Sequence, residues 1–189
     1  MKIGVLALQG AFREHCRMLE RCGATAIEIR KPEELDDVAG LVIPGGESTT
    51  IGKLMVQWGF IEKIRNRENQ GMAIYGTCAG MIMLAKEIIG SDQPRLGLMD
   101  IAVRRNAFGR QRESFEAAML VPEFGEEPVQ AVFIRAPYIE SASANVTVMA
   151  MVNDKIVIAR QGKMLVTAFH PELTDDDRIH KYFISMIKE

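Results

Sequence analysis

The chain has 189 residues, 48% hydrophobic and 25% charged, with 23 basic against 25 acidic side chains and a formal net charge of -2. That length supports one domain with a buried core and leaves too little for two, so residues 1–189 are expected to form one unit. The balanced charge and the lack of a long basic cluster argue against nucleic acid or an anionic membrane as partner, and no apolar stretch reaches the roughly 18 residues of a membrane span.

The first apolar run, Ile3 to Leu8, predicts a strand halted by Gln9-Gly10. Phe12, Cys16, Leu19 and Cys22 then recur at helical spacing between Ala11 and Gly23. Ala26 to Ile29 predicts a second strand, and Leu41-Val42-Ile43 a third, stopped by Pro44-Gly45-Gly46. Helical pattern runs from Ser48 toward Asn69 with a break at Gly59. Met72 to Tyr75 predicts a fourth strand and Ala79 to Ile88 a helix.

Beyond Gly97 the apolar runs come at short intervals: Ile101–Val103, Ala117–Val121, Val129–Ile134, Val146–Val152, Ile156–Ala159 and Leu165–Phe169. Few helical patterns separate them, which predicts added antiparallel strands and a hairpin across Asn153-Asp154. A final helix opens at Thr174-Asp175-Asp176-Asp177 and carries Ile179, Tyr182, Phe183 and Met186 on its apolar face. The expected architecture is α/β: a mainly parallel sheet flanked by helices, with added antiparallel strands.

Cysteine usage points to a reducing compartment. Cys16, Cys22 and Cys78 are odd in number and show no C-x-x-C spacing, so neither a disulfide framework nor a zinc site is expected. Met1-Lys2-Ile3-Gly4-Val5 runs into strand-like sequence with no leader pattern, and a cytoplasmic setting is the expectation. No metal or other cofactor is called for.

Gly76-Thr77-Cys78-Ala79-Gly80 lies between a predicted strand and a predicted helix, and it has the G-x-nucleophile-x-G form of a nucleophile elbow with cysteine as nucleophile. The tight turn strains the backbone at the nucleophile, and flanking side chains would strike neighbouring elements. The start of the helix offers free N–H groups that favour a thiolate and a developing oxyanion. Cys16 and Cys22 lack this setting and read as packing residues.

A thiol needs a base beside it. His15 and His180 fall in helical segments among charged residues and are expected at the surface. His170 follows the run Leu165–Phe169 and so stands at a strand end, where open α/β sheets place their sites. Glu172 follows across Pro171 and is suited to orient the imidazole. Ala79 offers one oxyanion-hole N–H, and Pro44-Gly45-Gly46-Glu47-Ser48, also a strand-to-helix junction, is the expected source of a second at Gly46.

These residues resemble class I glutamine amidotransferases: P-G-G at 44–46, G-x-C-x-G at 76–80 and H-P-E at 170–172, in that order across most of the chain. Finer strings resemble the glutaminase subunit of pyridoxal 5′-phosphate synthase. They are Leu8-Gln9-Gly10-Ala11, Gly46-Glu47-Ser48-Thr49-Thr50, Arg105-Asn106-Ala107-Phe108-Gly109-Arg110-Gln111, Phe133-Ile134-Arg135-Ala136-Pro137 and Phe169-His170-Pro171-Glu172-Leu173-Thr174. The resemblance implies hydrolysis of L-glutamine to glutamate and ammonia through a Cys78 thioester. It also implies a separate synthase subunit as partner, which builds pyridoxal phosphate from a pentose phosphate and a triose phosphate. It assigns glutamine binding to Gly46, Glu47, Ser48, Arg105, Ile134 and Arg135. Gln9 and Gly10, at the same edge of the sheet, are the expected partner-facing residues.

Two alternatives stand beside this reading: the glutaminase subunit of another biosynthetic amidotransferase, and a cysteine hydrolase of related fold. Hydrolases of the elbow type place the acid before the histidine; here Glu172 follows His170. A binding module that kept the fold would be expected to have lost a triad member, and all three are present.

Overall fold

The structure is a computed structural model and describes residues 1–106 and 114–189. In chain order the strands and helices are β1 (Lys2–Leu6), α1 (Phe12–Arg21), β2 (Thr25–Ile29), β3 (Gly40–Ile43), α2 (Ser48–Gln57), α3 (Phe60–Asn69), β4 (Ala73–Thr77), α4 (Ala79–Leu84), β5 (Ala85–Ile88), β6 (Met99–Arg104), β7 (Ser114–Met119), β8 (Val129–Ile134), β9 (Tyr138–Ala142), β10 (Thr147–Val152), β11 (Lys155–Gln161), β12 (Met164–Thr167) and α5 (Arg178–Lys188).

The main sheet runs β2-β1-β3-β4-β12-β11-β9-β6-β5, with β10 paired to β11. Strands β2, β1, β3, β4 and β12 are mutually parallel. Strands β3, β4 and β12 are buried along their whole length because helices cover both faces. Helices α1 and α5 meet on one face, and α2, α3 and α4 pack together on the other. Beyond β12 the pairing turns antiparallel through β11, β10, β9 and β6. The expected α/β architecture is the one observed. Each fully buried Ile or Leu in this core, such as Ile3, Leu41 and Ile43, contributes roughly 1.5–3 kcal/mol.

Local chemistry explains the punctuation. Gly59 has φ 74, a left-handed conformation that ends one helix and admits the next, so the 48–69 segment splits as expected. Asn153 and Asp154 have φ 50 and 61, matching the two-residue turn that joins β10 to β11. The second sheet is the hairpin β7–β8. Its Phe133 stacks on Phe115 at 4.5 Å and packs on Phe169 at 5.3 Å, laying the hairpin against the segment after β12.

One expected element is different. The helix beginning at Ala79 stops at Leu84, and Ala85–Ile88 is strand β5, paired in parallel with β6. Buried Ala85 and Ile88 flank exposed Lys86 and Glu87, a pattern too short to fix either period, and pairing with a strand 14 residues on decides for β. Strand β9 adds an element that the apolar-run pattern did not mark. Among the described residues no helix is long and apolar enough to cross a membrane.

Candidate active site

The carboxyl ends of β1, β3, β4 and β12 lie side by side, and each runs into a segment that carries nominated residues. β4 ends at Thr77 and α4 begins at Ala79, which leaves Cys78 alone in the turn with φ 50 and ψ -103. This is strained backbone for a side-chain-bearing residue. The Cys78 N–H donates to the Thr167 carbonyl at 2.8 Å, which holds the turn against β12. A Cβ on Gly76 would lie 2.6 Å from backbone atoms of Gly80, and one on Gly80 would collide with the Ile43 carbonyl at the end of β3. Both glycines of the elbow are therefore required by close approach.

His170 lies three residues past β12, with its N–H donated to the Val132 carbonyl of β8 at 2.9 Å. Pro171–Leu173 forms a single 3-10 turn that curls Glu172 back beneath its own histidine. His170 Nδ1 lies 2.7 Å from Glu172 Oε1, which leaves Nε2 as the ring nitrogen free to serve Cys78. Burial disfavours the charged imidazole, but the bonds to Cys78 and Glu172 outweigh it and raise His170 to about 10. Burial likewise pushes Glu172 up, and the facing His15 and His170 bring it below the usual carboxylate value. The dyad therefore favours an imidazolium at neutral pH. That is the form able to protonate a leaving amide nitrogen.

The loop after β3 closes over this pair. A Cβ on Gly45 would overlap the His170 ring and lie 3.3 Å from Cys78 Cβ, so only glycine lets the backbone come so near. The Gly45 carbonyl accepts from the Ala11 N–H at 3.0 Å, and the Glu47 N–H donates to Gln9 Oε1 at 2.7 Å. The segment after β1 thus sets the orientation of the Gly45–Gly46 peptide.

Every nominated residue except Glu172 lines one cavity of about 380 Å³: Gln9, Gly10, Gly46, Glu47, Ser48, Cys78, Ala79, Arg105, Ile134, Arg135 and His170. That is the size of a small-ligand site. Glu172 stands behind His170, 6% exposed. Glu47 also caps α2, its Oε1 accepting from the Thr49 N–H at 3.4 Å and from the Thr49 hydroxyl at 2.9 Å. Arg135 has φ 42, a left-handed turn at the end of β8 that brings Ile134 and Arg135 to the rim. Arg105 reaches in from the end of β6, and the distinctive 105–111 string passes outside the described residues after Asn106.

Three residues that matter to the site were missed or misplaced by sequence. Gln93 is buried, and its Oε1 accepts from the Arg105 guanidinium at 2.8 Å and faces the Ser48 hydroxyl at 3.5 Å. Nothing in its local pattern marks it. His15 and His180 are not at the surface: both are fully buried. Here a signal existed, because His15 shares its helix face with Leu19, and His180 lies beside Ile179 one turn before Phe183.

Arg105→Ala is expected to raise KM for glutamine about 10–100-fold with kcat little changed, the range for one charge-assisted contact. Gln93→Leu should move KM the same way but less, since it only frees the Arg105 side chain. Steady-state kinetics in glutamine read both, and an unchanged KM for Arg105→Ala removes it from the substrate site.

Comparison with known proteins agrees with this geometry. Residues 5–189 match the SNO glutamine amidotransferase family. The chain is 62% identical over 188 residues to the pyridoxal 5′-phosphate synthase subunit PdxT of Desulforamulus reducens, covering 100% of both chains. It is also 62% identical to the PdxT of Pelotomaculum thermopropionicum, over 97% of this chain and 94% of that one. A crystal structure of a glutamine amidotransferase superposes with a TM-score of 0.95 at 50% identity, covering 99% of each chain. The chain belongs to the SNO glutamine amidotransferase family.

Proposed function

We propose that this chain is the glutaminase subunit of a pyridoxal 5′-phosphate synthase, hydrolysing L-glutamine and delivering ammonia to a synthase subunit. The observation that carries the chemistry is the strained Cys78 lining one cavity with His170, whose Nδ1 lies 2.7 Å from the buried Glu172. The biosynthetic role draws on the identity to PdxT proteins over the whole chain.

In this reading the glutamine α-carboxylate pairs with Arg105 or Arg135, while backbone carbonyls at the rim or Glu47 take the α-ammonium. Cys78 Sγ, its proton passed to His170, attacks the side-chain carbonyl carbon, and the oxyanion that forms is received by the N–H groups of Gly46 and Ala79. His170 gives its proton to the amide nitrogen and ammonia leaves, forming the thioester. His170 then takes a proton from water, the hydroxide attacks the thioester carbonyl, and collapse returns the thiol and releases glutamate. Glu172 keeps the imidazole aligned through both steps.

Free ammonia would be protonated and diluted in water, and the residues described here are taken up by the amidotransferase fold. A docked acceptor is the physical remedy. Gln9 and Gly10, which touch the Gly45–Gly46–Glu47 backbone, are positioned to transmit docking to the oxyanion loop. Ammonia release from glutamine should rise about 10²–10³-fold on adding the synthase subunit, the worth of one oxyanion donor. Full activity in isolation, with neither binding nor stimulation by the synthase subunit, would overturn the subunit assignment.

A further inference from the structure

The acid of the triad has a second neighbour that the mechanism above does not use. His15 on α1 and His180 on α5 are both fully buried, 165 residues apart in sequence. His15 Nδ1 lies 2.9 Å from His180 Nε2. On its other side, His15 Nε2 lies 3.1 Å from Thr77 Oγ1, next to the nucleophile in sequence, and 3.4 Å from Glu172 Oε2. Tyr75 of β4 stands edge-on to both imidazoles and closes the cluster. Among the described residues, Glu172 Oε2 and His180 Nδ1 are buried atoms without a hydrogen-bond partner.

Where the protons sit decides what this cluster does. Burial holds both histidines below their ordinary values; for His15 this outweighs the upward pull of Glu172, and His15 adds to the effect on His180. Two neutral rings joined at 2.9 Å have two proton placements that give a hydrogen bond. In one, His15 donates from Nδ1 to His180. Then His15 Nε2 turns a lone pair toward the Glu172 carboxylate, and His180 Nδ1–H is a buried donor with no acceptor. In the other, His180 donates from Nε2 to His15 Nδ1. Then His15 Nε2 carries the proton, facing Thr77 Oγ1 and Glu172 Oε2. The second placement puts a positive end against a buried negative charge, and it removes the orphan donor.

We propose that His15 is a positioning residue for glutamine hydrolysis, its Nε2–H directed at the outer oxygen of Glu172, with His180 fixing its tautomer from behind. This rests on the Cys78–His170–Glu172 reading. Glu172 is then hydrogen-bonded at Oε1 to His170 and faced at Oε2, across 3.4 Å, by a His15 N–H that it shares with Thr77 Oγ1. Without His15 the buried outer oxygen has no facing donor, so the carboxylate protonates or rotates more readily and His170 loses its alignment. The charged and titratable groups that face His15 are Glu14 on its own helix, His180 from α5, Tyr75 from β4, and His170 and Glu172 from the turn after β12.

The test has two arms on the full chain. Nitrogen-15 NMR of histidine-labelled wild-type protein should show His15 protonated at Nε2 and His180 unprotonated at Nδ1; a His15 proton on Nδ1 would overturn the proposal without any variant. In the second arm, glutaminase is assayed in the presence of the synthase subunit. His15→Leu should lower kcat about 10-fold with KM unchanged and move the acid limb of the pH profile up by about one unit. His15→Gln, which keeps an N–H near the ε position, should recover most of both. A His15→Leu profile that overlays the wild type sinks the coupling. Cys78→Ala separates the two readings: if it still hydrolyses glutamine, the triad itself is wrong, whereas an inactive Cys78→Ala beside an unaltered His15→Leu rejects only the role of His15.

Discussion

Cys78→Ala is expected to lower glutamine hydrolysis about 10⁴–10⁶-fold, the scale on which removal of a triad nucleophile acts. The fold should survive. The substitution removes one sulfur from a residue that is 8% exposed, and the N–H bond to Thr167 that shapes the turn is a backbone bond. Cys78→Gly should be equally inactive yet more stable than Cys78→Ala by about 1 kcal/mol, because φ 50 costs a glycine nothing. Thermal melts of the pair read that strain directly. A glutamine-mimicking electrophile should label Cys78 ahead of the other two thiols. Burial, with help from Glu28 and Glu20, pushes Cys16 to about 11, and burial also raises Cys22, so neither supplies much thiolate at neutral pH. Substantial hydrolysis by Cys78→Ala, or first labelling at Cys16 or Cys22, would remove Cys78 from the chemistry.

Gly10→Ala should cost about 10²–10³ in kcat although Gly10 takes part in no bond that breaks or forms. Gly10 has φ +102, and a Cβ there would overlap the Gly45 carbonyl oxygen. That oxygen accepts from Ala11, and the bond orients the peptide whose other end is the Gly46 N–H. Pushing the carbonyl away turns the proposed oxyanion donor with it. Gly23→Ala is the control. Gly23 also has positive φ, at +81, but nothing lies within 4 Å of its missing Cβ. It should lose roughly 1 kcal/mol of stability to backbone strain and keep its activity. Kinetics and melting curves of the two variants, measured with the synthase subunit present, distinguish strain from displacement. Wild-type kcat in Gly10→Ala would show that the loop after β1 does not govern the oxyanion site.

What the chain determined by itself is what neighbouring residues impose on one another. The elbow was legible because Gly76, Cys78 and Gly80 fall within five residues, and a strand-to-helix turn that tight admits few side chains. His170 and Glu172 were legible for the same reason: two residues across a proline bring a carboxylate under an imidazole. The Gly59 break and the Asn153-Asp154 turn are likewise local backbone preferences. The elements that only tertiary structure decided have their partners far off in sequence. Ala85–Ile88 has the apolar content of a helix end, and it is a strand because β6 offers it a ladder. Gln93 sits in a segment without pattern, and its role arises because Arg105 and Ser48 converge on it from two other elements. His15 and His180 looked like surface residues among charges, since each lacks a local partner able to offset burial of an imidazole. The offset comes from the other histidine, from Thr77 and from the carboxylate of Glu172, and α1, β4, α5 and the turn after β12 must pack before those groups meet. The positions of the two histidines on apolar helix faces were visible in the sequence, but the partners were not: a buried polar side chain is stable only when its partner is buried with it, and local pattern does not identify that partner.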